Sequence, residues 1–205
     1  VKVLHRKLIR EVYGHKGLLL LISSIIAVGV MCYVTLQSAY HNLNGAKQDY
    51  YRQCRMADFW IDVKKVPLPE LADLEDVPGI TEIHPRIHFP VTVDLEHVPY
   101  PINGAVLSLP DQRRRTINDI VLLRGGYFTD NRNNEVIVNE AFANAHGLKT
   151  GEWIRLLMNN RHQELLITGT AISSEFTYLL GPGAVVPDAD HFGVFYVKQT
   201  FAEDV

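Results

Sequence analysis

Gly17–Leu36, GLLLLISSIIAVGVMCYVTL, is a run of 20 residues without a charge. As a helix rising about 1.5 Å per residue it reaches roughly 30 Å, the thickness of a bilayer's hydrocarbon core. Backbone N–H and C=O groups inside that layer are satisfied only by a helix or a closed barrel, so the stretch reads as a membrane-spanning helix. A buried helix of a soluble protein is the plainer alternative, but 20 uncharged residues exceed the usual core helix. A cleaved signal peptide has a shorter apolar region followed by small residues at a cleavage point. Ala39 suits such a point and Gln37 does not, so an uncleaved anchor is expected.

The flanks orient the span. Residues 1–16 carry Lys2, Arg6, Lys7, Arg10 and Lys16 against Glu11, a net charge of +4. The remaining residues hold 15 basic and 22 acidic groups, a net of −7, which together give the chain's −3. Positive residues stay on the cytoplasmic side, so the N-terminus is expected in the cytoplasm and everything after Leu36 outside it. Within residues 2–13, Leu4, Leu8 and Val12 share one helical face with Ile9, while Lys7, Arg10 and Glu11 lie away from it. Such a helix suits the headgroup layer. The alternative is that it forms the first turns of the span itself. Gly14 is expected to break it.

Beyond the span the helical period continues. Leu36, Tyr40, Leu43, Lys47, Tyr50 and Cys54 form a stripe with polar residues between. A stalk is therefore expected to about Arg55, against the helix penalty of Gly45. After it the period shortens. ADFWIDV, residues 57–63, reads as a strand; Pro67 and Pro69 open a short helix; Pro78-Gly79 ends it, giving a βαβ-like opening. Ile87, Phe89, Val91, Val93 and Leu95 alternate with polar or proline positions, so this strand has one buried face. Pro90 puts it at an edge or a bulge. Residues 102–109 return antiparallel to it. Further strands are expected at 120–123, 135–139, 153–158, 164–171 and 193–197, with a helix at 140–146 capped by Gly147. No closing element is expected before Val205. The fold class is α+β: a transmembrane helix and stalk, then a mixed α/β extracytoplasmic domain with antiparallel hairpins.

Composition limits the chemistry. At 47% hydrophobic and a net charge of −3 the chain has apolar surface for a core and no extended basic footprint, so no nucleic-acid partner is expected. Two cysteines, Cys32 in the span and Cys54 beyond it, make neither a disulfide framework nor a four-thiolate zinc site. There is no Gly-x-Ser-x-Gly elbow and no Walker-type Gly-Lys-Ser/Thr. Arg113-Arg114-Arg115 reads as a solvated loop, and Gly125-Gly126 as a turn. His84 and His88 are separated by Pro85 in a strand-like stretch; Asp188, Asp190 and His191 lie in a loop. Those five are the candidate set for an anchored enzyme, but no catalytic, cofactor-binding or metal-binding residue is assigned, no cofactor is implied, and the chain is not expected to be an enzyme. Tyr50, Tyr51, Phe59 and Trp60 are expected to pack where stalk meets domain, rather than to form an interfacial belt or a ligand surface.

Three features in this order carry a resemblance: the basic start, span and stalk leading to ADFWIDV; LEDVPGITEIHPRI at 74–87; and NEVIVNEAFANAHGLKTGEWIRLLMNNRHQELLITGTA at 134–171. Together they resemble the first transmembrane helix and periplasmic core domain of FtsX-like or MacB-like ABC transporter permeases, over nearly the whole chain. The resemblance implies a multi-pass inner-membrane protein that couples a separate cytoplasmic ATPase to an extracytoplasmic domain, for export or mechanotransmission. The partners it implies are that ATPase subunit, membrane lipids, a second permease half or homodimer, and a periplasmic adaptor. Its domain reading is 1–16 cytoplasmic interfacial helix, 17–36 transmembrane helix, 37–56 helical stalk and 57–205 core domain, the last incomplete. The competing expectation is a single-pass anchored module that binds a ligand or partner without an ATPase.

Overall fold

A computed structural model describes residues 2–95 and 98–205. The chain divides into two compact units, Val1–Asp49 and Tyr50–Val205.

The first unit is helical. Helix α1 spans Lys2–Gly14 and α2 runs Lys16–Gln53 without a break, 38 residues or about 57 Å. Gly14 does end α1, but only His15 separates the helices. The His15 N–H donates to the Glu11 carbonyl at 3.2 Å, and the Leu19 N–H donates to the His15 carbonyl at 3.1 Å. None of the α2 side chains is buried, and the helix is long and apolar enough to cross a membrane or to serve as a signal sequence. Gly45 does not interrupt it, because one glycine costs only about 1 kcal/mol in a helix this long.

Among the described residues the second unit is built on seven strands: β1 His88–Asp94, β2 Ile102–Leu109, β3 Ile120–Gly125, β4 Glu135–Asn139, β5 Trp153–Met158, β6 Arg161–Ser173 and β7 Phe192–Lys198. Three short helices accompany them: α3 Leu68–Glu75, α4 Glu140–Ala145 and α5 Gln199–Asp204. The sheet order is β3-β6-β4-β7-β2-β1-β5, and β5 also pairs with β6. Six strands therefore close on themselves, while β3 hangs on the C-terminal half of β6. Closure comes from the length of β6: its residues 161–166 pair with β5 and its residues 169–173 with β3. The pairing is mixed. Antiparallel β1–β2 and β5–β6 hairpins are joined by parallel β2–β7 and β4–β6 contacts. Central β4 and β7 are buried along their whole length, and with Val91, Val93, Ile102, Val106, Ile154, Leu156, Leu165 and Phe142 they form the core.

Local chemistry explains the turns. Asn159 and Asn160 take φ of 45° and 62° between β5 and β6, the left-handed pair that matches the twist of a two-residue hairpin. Pro90 is harmless in β1 because β5 pairs only with Thr92, Val93 and Asp94. The strand is interior to the sheet, yet its proline lies beyond the reach of that neighbour.

Three sequence expectations need correction. Residues 57–63 form no strand, and Phe59 and Trp60 are 66% and 64% exposed. The β-branched and aromatic composition is strand-like, but no neighbour offers a hydrogen-bond ladder, and none of residues 76–87 is a strand either. The βαβ-like opening is thus absent, although its helix is present as α3. At the other end, α5 follows β7 and buries Phe201 and Ala202 against β2 and β7.

Candidate functional site: the helix-end clamp

The most elaborated polar structure in the second unit surrounds the last turn of α2. Cys54 is fully buried and Arg55 turns left-handed at φ 49°. The Arg55 N–H donates to the Arg52 carbonyl at 3.2 Å, and the Met56 N–H reaches the Tyr51 carbonyl at 3.0 Å. This is the paired-bond Schellman ending, with Arg55 at the position glycine usually takes. Helix α4 ends the same way with glycine: Gly147 has φ 66°, and the Leu148 N–H donates to the Ala143 carbonyl at 2.8 Å. An arginine there costs about 1–2 kcal/mol of left-handed strain. Its guanidinium is bonded to the Glu82 carboxylate.

The carbonyls that the helix end leaves over are taken by the segment before β3. The Asp119 N–H donates to the Cys54 carbonyl at 2.7 Å and the Asn118 N–H to the Arg55 carbonyl at 2.9 Å. Asn118 is itself left-handed at φ 54°, a conformation asparagine tolerates, and its Oδ1 accepts from the Ala57 N–H at 2.7 Å. Buried Asp119 accepts from the Ile120 N–H at 2.9 Å and from Arg113 at 2.5 Å. Arg113 also donates to the Ile120 carbonyl at 3.2 Å and lies over the Tyr127 ring. The edge of β3 is therefore stoppered at Ile120 by two side chains. A register shift follows between Leu122 and Arg124. Both devices discourage another strand from adding there.

Around the thiol the surroundings are poor in water. Burial raises the Cys54 pKa, with Tyr50 and Ser174 as its polar neighbours. Burial also raises Tyr50 above the ordinary tyrosine range, and raises Tyr127 to about 12. Raised in this way, the thiol and the two phenols stay neutral at physiological pH, so the charges of the clamp are those of the Arg55–Glu82 and Arg113–Asp119 pairs. Beside it lies an open concavity of about 220 Å³ lined by Gln53, Arg113, Arg115, Asp119, Ile120, Val121 and Leu122.

Against this, the sequence anticipated Tyr50 and Cys54 as packed positions, and they are. It also expected Phe59 and Trp60 to pack there, and both are exposed. Arg113, Arg114 and Arg115 lie in an exposed loop as expected, and Arg113 is in addition paired with the buried Asp119. Asn118 and Asp119 went unnoticed. The available signal was Asn-Asp immediately ahead of the apolar run Ile120–Leu123, a turn pair whose side chains bond to backbone.

The five residues considered for chemistry fall into separate places. His84 precedes β1, and burial, then the Arg114 and Arg86 charges, lower its pKa. His88 is exposed at the start of β1. Asp188, Asp190 and His191 share the loop before β7. There Asp188 Oδ1 accepts from the Asp190 and His191 N–H groups at 3.1 and 3.2 Å, and Asp188 Oδ2 lies 2.8 Å from His191 Nδ1. His191 stacks on Tyr100 with ring centroids 5.2 Å apart. The Asp188 carboxylate is spent on its own turn. Among the described residues no group of three or more His, Cys, Asp or Glu is placed to hold a metal ion. No protein-family model matches the chain, and no curated protein matches it.

Proposed function

We propose that the chain is a membrane-spanning permease component of an ABC transporter, coupling a separate cytoplasmic ATPase to movement of an extracytoplasmic domain. In this reading the chain sits in the inner membrane with its N-terminus in the cytoplasm and residues after Leu36 outside. The observation that carries it is the clamp on the last turn of α2. A helix that is unbroken from Lys16 to Gln53 ends in a Schellman turn whose spare carbonyls are bonded to Asn118 and Asp119. The helix end from Tyr50 onward and its partners Asn118 and Asp119 belong to one compact unit, and in this reading they are the groups that receive a tilt of the helix. Such work needs rigidity and no active-site chemistry.

The test is a Gly-Pro insertion after Gln37, which breaks the helix between span and clamp. Insertion into the membrane is expected to survive, while transport-coupled ATPase activity is lost. Unchanged coupling defeats the lever.

A single-pass anchored binding module is favoured by one observation, the exposed Phe59-Trp60-Ile61 tract. Reading the gene beyond Val205 separates the two. Three or more further apolar runs of about 20 residues support the permease.

A further inference from the structure

Helix α1 has two unlike faces and, among the described residues, no buried side chain. Leu4, Leu8, Ile9 and Val12 lie on one side, and Leu4 and Leu8 are 78% and 61% exposed. Arg6 and Arg10, one helical turn apart, lie on the other with Lys7 nearby. The helix carries a single acidic residue, Glu11. We propose that α1 docks on an anionic phospholipid surface, with Arg6 and Arg10 at the headgroup phosphates and Leu4, Leu8, Ile9 and Val12 in the acyl boundary.

Charge and continuity select this occupant. A second α1 repels the first, because both are basic. A bilayer leaflet presents an apolar layer directly beneath an anionic one, which is the order of the two faces of the helix. One residue, His15, joins α1 to the helix whose apolar run begins at Gly17, so α1 ends within a few residues of that run. The inference rests on the reading that α2 crosses the bilayer. It adds that the charge of the lipid, read by Arg6 and Arg10, sets the position of α1.

The experiment uses the whole chain with Cys32→Ala and Leu8→Cys, labelled at position 8 with an environment-sensitive dye, in vesicles of phosphatidylcholine alone or mixed with phosphatidylglycerol. Resistance to alkaline extraction reports insertion of α2 separately. The expected result is a blue-shifted dye, quenched by brominated lipid, in the anionic vesicles and much less so in the neutral ones. Arg6→Gln and Arg10→Gln each lower the docked-to-free ratio roughly fivefold, the equivalent of about 1 kcal/mol per basic residue at such a surface. Raising the salt acts in the same direction. Equal quenching in both vesicle types overturns the recognition of charge. A water-exposed dye on an inserted chain overturns the dock, as does protection that grows with protein density instead of lipid charge. Loss of the chain on alkaline extraction defeats the spanning reading, and the dock with it.

Discussion

The two units use apolar residues in opposite ways. In Val1–Asp49 every described side chain of α1, and of α2 up to Asp49, is exposed, including the leucines and isoleucines of the uncharged run. In Tyr50–Val205 the sheet folds the same residue types away: β4 and β7 are wholly buried, and Ile102, Val106, Leu156, Leu165 and Ile167 are inaccessible. A helix satisfies its own backbone and can give its apolar side chains to lipid. A strand cannot, and must find neighbours first. The first unit therefore follows from local pattern and the second from its contacts.

This contrast breaks most visibly in the second unit. Lys198 and Glu135 are both almost fully buried, 3.4 Å apart; Glu135 also accepts from Thr129, and Lys198 is bonded to the Thr129 and Arg132 carbonyls. Lys198→Met leaves a buried carboxylate without its cation and is expected to cost about 3–5 kcal/mol, read as a fall in the urea midpoint. Adding Glu135→Gln is expected to restore part of the loss. Insertion of α2 is expected to be unaffected by either change.

The reciprocal change belongs to the uncharged run of α2. Ile26→Asp places a carboxylate near the middle of the uncharged run and is expected to cost about 3 kcal/mol of insertion, read as loss of the alkali-resistant fraction. The urea midpoint of the strand-built unit is expected to stay where it was. A large fall there shows that the two units are not separately specified.

The clamp sharpens the comparison, because it lies where helix gives way to strands. Asn118→Ala loses the bond to the Ala57 N–H and the residue type that tolerates a left-handed backbone. About 1–2 kcal/mol is expected from the two together. Asn118→Gly keeps the backbone freedom and loses only the bond, so its urea midpoint is expected between those of wild type and Asn118→Ala.

The residues differ in how openly they announce their structure. Val91 and Val93 alternate with wetter neighbours, and Glu135–Asn139 and Trp153–Met158 begin and end where turn residues place them. The helix over 37–53 followed from its stripe. ADFWIDV has the composition of a strand and is not one, since pairing depends on residues remote in sequence. Arg113 is exposed in its loop, as its composition suggests, and its pairing with Asp119, six positions on, is seen only in the folded chain. The candidate clamp was legible at Tyr50 and Cys54, as apolar positions in a stripe, and illegible at Asn118.

By itself, then, the sequence determined the uncharged helix, its basic flank, its extension toward Gln53 and most of the strands, because these depend on periodicity and on groups a few residues apart. Closure of six strands through the two halves of β6, the stoppered edge of β3, and the capture of the Cys54 and Arg55 carbonyls by Asp119 and Asn118 were decided only in the tertiary structure. The closure and the carbonyl capture join backbone groups separated by long stretches of chain, and the stopper on β3 needs Arg113 and Asp119 brought together across a turn. A local pattern cannot say which distant partner will satisfy them.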